Sequence, residues 1–321
     1  MENSERFAPS GIASAAGALL AALALAAAPT GLDAQHAHDH DGEDGHAHRG
    51  VHFSHPMIAE TVTPDTKIRL DHQYFDYPGG ARENSGLVEA EYAFSPAFSI
   101  EAALPYSYSS TAFGNAAVLF KFANRAFEED GVILGYGVQL DLPTNGGAAV
   151  GGGDHEHEEG EEHTHERRVD ASATLEGGDF PFRSHGATGV RGTLGSDLWQ
   201  VGPYLNFGWT SGPVELMAWT VFGIPFNHAE QAEVGTEFSW NVSALVHASS
   251  RLQPMLELDG TGGISGHAVG EDVVQLAPGL KFRPFAGQPL WIGTSVGFPL
   301  ASGVEEDPFE TRFLTSLFWH F

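Results

Sequence analysis

Two segments of this 321-residue chain carry side chains that could bind metal ions. The first holds His36, His38, His40, His46 and His48, with Asp39, Asp41, Glu43 and Asp44 between them, and continues to His52 and His55. The second runs from Asp154 through His155, Glu156, His157, Glu158, Glu159, Glu161 and Glu162 to His163 and His165. His-x-His spacing puts successive imidazoles on one side of an extended backbone, so that two rings can approach one ion. Neutral imidazole suits Zn²⁺, Ni²⁺, Co²⁺ or Cu²⁺, and the carboxylates add charge and oxygen ligands. Neither tract carries the hydrophobes to fold alone, which predicts exchangeable, multi-site binding and no tightly bound cofactor. The competing interpretation is a solvated polyanionic stretch whose histidines only buffer charge. His72, His185, His228, His247, His267 and His320 lack the spacing and are expected to be ordinary rim or lumen residues.

The elements that must position these tracts are strands. In the last thirteen residues, Phe313, Thr315, Leu317, Trp319 and Phe321 alternate with Arg312, Leu314, Ser316, Phe318 and His320. Period two is the strand signature, and an apolar face ending in aromatics against a face with Arg, Ser and His suits a wall between lipid and a wet interior. Hydrophobic residues make up 42% of the chain, yet beyond the N-terminus no window approaches the roughly 20 apolar residues of a spanning helix. A barrel is what remains.

Twelve alternating segments follow from residue 66, approximately 66–77, 86–94, 98–108, 115–123, 132–142, 198–209, 214–225, 237–247, 252–261, 272–283, 290–299 and 309–321. Short connections alternate with longer polar or glycine-rich ones, the longest being 143–197. The expectation is an all-β transmembrane antiparallel barrel of about 12 strands, of outer-membrane type. Its short turns and both termini would be periplasmic and its long loops external. Residues 1–34 read as an export signal, with Ile12 to Ala28 as apolar core, Pro29 and Gly31 as breakers and cleavage after Ala34. Residues 35–65 are then a His/Asp-rich periplasmic tail and 66–321 the barrel.

Alternation also assigns the interior. Lys67, Arg69, Asp71 and Gln73 oppose Ile68, Leu70 and Tyr74, while Glu89 and Glu91 oppose Val88, Ala90, Tyr92 and Phe94. The same rule sends Glu101, Lys121, Asp141, Glu215, Glu237, Glu257, Asp259, Lys281, Arg283, Glu310 and Arg312 inward. A lysine or arginine on the lipid face at mid-membrane would cost roughly 2–4 kcal/mol, which favours that choice. Carboxylates outnumber bases, so an open lumen would concentrate cations. Mutual pairing of these charges in a plugged lumen is the alternative.

The formal net charge of −27, with 15 lysines and arginines in all, argues against nucleic-acid binding. The absence of cysteine removes disulfides and thiolate chemistry. No Gly-x-Ser-x-Gly or His-Glu-x-x-His pattern occurs, and the spacing of Ser316, His320 and Asn241 selects no catalytic set, so no enzyme is expected. Partners would be outer-membrane lipid, divalent cations, and the assembly machinery, engaged through the strand ending in Phe321.

Several pieces, in order, resemble a known family: Gly114-Asn115 with Lys121-Phe122, Leu142-Pro143-Thr144-Asn145-Gly146, Asp197-Leu198-Trp199-Gln200-Val201-Gly202-Pro203-Tyr204-Leu205, Pro254-Met255-Leu256-Glu257-Leu258-Asp259-Gly260 and Ala277-Pro278-Gly279-Leu280-Lys281. Together with the aromatic C-terminus they look like the outer-membrane proteins called "meta-pathway of phenol degradation". The resemblance runs loosely over 66–321 and implies a porin-like or transporter-like barrel, without implying phenol as substrate. The His-rich insertions depart from the family's common pattern. The expected function is passive passage of small solutes, foremost divalent metal cations captured by the His-rich segments. A channel for small hydrophobic or aromatic compounds, and a non-conducting surface metal-binding protein, are the alternatives.

Overall fold

A computed structural model describes residues 51–108, 112–144, 199–226, 235–265, 273–302 and 309–321. Residues 1–34, expected to be an export signal, both His-x-His tracts and most of the 143–197 loop lie outside the described residues.

The alternating segments form strands β1 (Lys67–Asp76), β2 (Arg82–Ser95), β3 (Phe98–Ser107), β4 (Ala112–Phe113), β5 (Ala116–Asn124), β6 (Val132–Leu142), β7 (Gln200–Ser211), β8 (Val214–Pro225), β9 (Glu237–Val246), β10 (Leu252–Gly263), β11 (Val273–Phe282), β12 (Leu290–Ser302) and β13 (Thr311–His320). Each long strand pairs antiparallel with its sequence neighbours. β1 pairs with β13 from Lys67 opposite His320 to Asp76 opposite Thr311, which closes the ring. The two-residue β4 pairs only with the end of β3, so twelve strands make the wall. The expected twelve-stranded antiparallel barrel is therefore observed.

Closure satisfies the backbone of every wall strand on both sides and leaves no open edge, the condition for strands to cross lipid. The outer face is apolar: Leu70, Val88, Leu134, Leu205, Phe207, Val242, Leu256, Phe298, Phe313 and Leu317 are exposed. Aromatic rings sit near both rims. Phe94, Phe98, Phe122 and Tyr136 stack across four strands near the short-turn rim, with neighbouring centroids 4.9–5.6 Å apart. Phe222 with Phe238, and Trp199 with Phe226, lie near the other rim. Girdles of this kind flank the apolar band of outer-membrane barrels.

The turns at one rim are 96–97, 125–131, 212–213, 247–251 and 283–289, as expected. At the opposite rim β2 begins four residues earlier than alternation suggested. The β1–β2 connection is therefore only 77–81, a tight turn in which Gly79 and Gly80 take φ of 80° and 83°, where a side chain would be strained.

The largest departure from expectation concerns the tail. Residues 51–65 do not trail into solvent but fold into the barrel. Val51 is tied to the β5–β6 turn: its N–H donates to Glu128 and its carbonyl accepts from Arg125, 2.8 Å away. At the other end, the Phe321 N–H donates to the carbonyl of Thr66, at 3.0 Å. The segment thus enters and leaves at the short-turn rim as a re-entrant plug. Its apolar residues supply the reason: Phe53, Met57, Ile58 and Val62 are buried against Ile133, Met217, Leu245, Met255 and Phe318 of the wall.

Candidate functional site

Inside the wall, charge is the organising property. Buried carboxylates are Glu60, Asp65, Asp71, Glu83, Glu89, Glu91, Glu101, Asp141, Glu215, Glu257 and Asp259, against Lys67, Arg69, Lys121, Lys281 and Arg312. Seven of the eight lumen candidates, Glu89, Glu91, Glu101, Asp141, Glu257, Asp259 and Arg312, are buried as alternation required. The eighth, Glu237, is half-buried in the inward phase of β9. Glu310 departs from expectation: it precedes β13 and is exposed.

The densest cluster joins plug to wall. Lys67 Nζ lies 2.9 Å from Glu91, 3.0 Å from Glu89, and 3.4 Å from both Glu60 and Glu101. Lys121 Nζ lies 3.0 Å from Glu91 and 3.7 Å from Glu101, and is paired with Glu60. Glu60, Glu91 and Glu101 are close enough together to hold a cation, and these two ammonium groups already serve them. Burial pushes the Glu60 carboxyl up, but Lys121 and Lys67 outweigh it and bring it down to about 2.

The plug backbone is held by lumen side chains. Glu257 accepts the N–H groups of Met57 and Ile58, both at 3.1 Å, and Glu215 accepts that of Ser54 at 2.9 Å. Glu91 accepts that of Asp65 at 3.0 Å. The carbonyls of His55, Met57 and Glu60 accept from Lys281, Arg69 and Asn206. Inward residues that alternation marked as lumen lining are thus the plug's polar anchors. Ala59 of the plug joins a buried cluster with Leu87, Leu119, Tyr204 and Trp219 of the wall.

At the short-turn mouth, Asp65 gathers three imidazoles. Its Oδ2 lies 2.9 Å from His55 Nε2, 2.6 Å from His320 Nδ1 and 3.5 Å from His52 Nε2. Burial pushes the Asp65 carboxyl up, and the charges of His320 and His52 overcome this, holding it well below the usual range. Partial desolvation works against a charge on His52, but Asp65 prevails and raises it. Burial, seconded by Lys67, drives His55 well below its ordinary value. The predicted metal ligands His36, His38, His40, His46, His48, His155, His157, His163 and His165 lie outside the described residues.

No family model matches the chain, and no curated protein sequence matches it. Solved structures do. The chain is similar to an outer-membrane channel from Pseudomonas putida F1, with a TM-score of 0.53 and 15% identity over 84% of this chain and 100% of that one. It is also similar to the NanC porin, with a TM-score of 0.50 and 7% identity over 80% of this chain and 100% of that one. The fold is that of bacterial outer-membrane barrels, with an apolar outer band.

Proposed function

We propose that this protein is an outer-membrane channel for small solutes, foremost divalent metal cations, closed at its short-turn half by residues 51–65. One observation carries the reading: among the described residues, eleven buried carboxylates against five buried bases line a closed barrel and its plug, a balance that favours cations wherever water enters. The plug is held by hydrogen bonds from lumen side chains, and withdrawal exchanges each of them for one to water. On this reading the short-turn rim and both termini lie in the periplasm, so that the His-rich tract of 36–48 would be periplasmic and that of 155–165 outside the cell. Zn²⁺, Ni²⁺, Co²⁺ or Cu²⁺ would be exchangeable cargo there, and the strand ending in Phe321 would engage the assembly machinery.

A second reading has its own support. Once the plug leaves, Met217, Leu245, Met255 and Phe318 would face the path, a lining that suits small hydrophobic or aromatic compounds. The two are separated by reconstituting the chain, and a variant lacking 36–65, in liposomes holding a zinc-sensitive dye, with uptake of a labelled aromatic hydrocarbon measured in parallel. Faster zinc entry through the deletion variant supports the cation channel. Hydrocarbon uptake without zinc entry supports the second reading, and neither flux leaves a non-conducting metal-binding protein.

A further inference from the structure

We infer that His52, His55, Asp65 and His320 form a site for one divalent transition-metal ion of the Zn²⁺ class at the short-turn mouth of the barrel. Three imidazole nitrogens, His52 Nε2, His55 Nε2 and His320 Nδ1, converge on a single carboxylate oxygen at 3.5, 2.9 and 2.6 Å. One potential ligand atom each from His52, His55 and Asp65 already lies within 4.8 Å of the others. Three imidazoles and a carboxylate are a complete tetrahedral donor set for zinc, which takes nitrogen at about 2.0–2.1 Å and oxygen at about 2.0–2.2 Å. An ion there would replace the N–H protons that now bridge the nitrogens to that oxygen, with Asp65 and His320 adjusting to admit it.

The surroundings suit such a site. His52 is 37% exposed at the mouth and provides entry, whereas His55 and Asp65 are buried and fixed by packing. The His55 ring lies against Phe318, with centroids 6.0 Å apart. His55 Nδ1 accepts from Lys67 Nζ at 3.2 Å, and metal binding at Nε2 requires the proton to sit on Nδ1. Lys67 can yield that contact because four carboxylates surround it. The ligand set also spans two parts of the fold. His52 and His55 stand on the entering limb of the plug, Asp65 on the returning limb and His320 on β13, so a bound ion clamps both limbs to the wall.

The test removes the competing tracts first. In a refolded full-length chain with His36, His38, His40, His46, His48, His155, His157, His163 and His165 all changed to serine, zinc per chain is measured by equilibrium dialysis, and Co²⁺ is followed by its visible absorption. The expected result is one ion per chain, a tetrahedral Co²⁺ spectrum, and at least a hundredfold weaker binding in H52N and in H320N. Both substitutions lie at the mouth, and heat-modifiability on gels verifies that the barrels are folded. Absence of stoichiometric zinc in the nine-serine chain overturns the inference, as does binding that H52N and H320N leave unchanged. Conductance plays no part in this readout, so the site stands or falls separately from the channel.

Discussion

Glu257 reaches from β10 to the backbone of Met57, its Oε2 3.1 Å from the Met57 amide nitrogen, while its Oε1 takes the N–H of Ile58 and the hydroxyl of Ser243, each at 3.1 Å. One wall carboxylate thereby holds two consecutive amides of a segment 200 residues away in sequence. Hydrogen bonds to a charged acceptor contribute about 1.5–3 kcal/mol each. E257A should therefore raise the open fraction of the plug by at least tenfold, read as conductance of the reconstituted chain in planar bilayers. An unchanged conductance would mean that Glu257 does not restrain the plug.

The Lys67 and Lys121 cluster predicts a different phenotype. Four carboxylates share two buried ammonium groups, and removing one partner of a buried pair leaves uncompensated charge, at a cost of about 3–5 kcal/mol. K67M should lower the temperature at which the folded barrel loses its compact gel mobility, and K67M combined with E91Q should recover part of the loss.

The wall was legible in the sequence and the plug was not, for a physical reason. Period-two alternation is local, so it assigned the faces of β1, β2 and β13 correctly and placed Glu89, Glu91, Glu101 and Glu257 inside. Phe53, Met57, Ile58 and Val62 follow no strand period, are interrupted by Pro56 and followed by Pro64, and their partners are far away in the chain. A signal was nonetheless present. Ile133, Met217, Leu245, Met255 and Phe318 are apolar residues in the inward phase near the short-turn ends of their strands, where a water-filled lumen would carry polar ones. They require an apolar occupant. His320, isolated by spacing, joins His52 and His55 only because β13 ends beside the root of the plug.

Acid should release the plug. Glu60 is brought down to about 2 because Lys121 and Lys67 outweigh its burial. A carboxylate depressed in the seated state stabilises seating above its ordinary value of 4.5, and that contribution is lost as pH falls from there toward about 2. Conductance should therefore rise as pH is lowered from 5 to 3, and E60Q should conduct more at pH 7 with a shallower rise on acidification. An equally steep rise in E60Q would assign the transition to other groups.

The outward face has its own test. Leu205 is 62% exposed near the middle of β7, between Tyr136 and Thr220 of the adjacent strands. If that position faces the hydrocarbon core, L205R costs about 2–4 kcal/mol and L205F almost nothing. Folding yield into vesicles, read by gel mobility across a urea series, should separate the two; equal yields would place Leu205 outside the bilayer.

Gly208 allows the plug to be displaced without touching the wall. It lies on the inward face of β7, where an added Cβ would sit 2.6 Å from Val62 Cγ1 and 2.8 and 2.9 Å from Phe53 ring carbons. All three are plug side-chain atoms, and separations below 3.0 Å cannot persist, so in G208A the Val62 and Phe53 side chains must give way while the β7 pairings with β6 and β8 remain available. The expected outcome is a barrel with unaltered heat-modifiability but raised conductance and a protease-sensitive 51–65 segment. Adding V62A removes the closest contact and should return part of the closure. Restored closure in that double variant would tie the conductance to Val62 packing against β7, whereas a G208A barrel that fails to fold would show that Gly208 serves the strand itself.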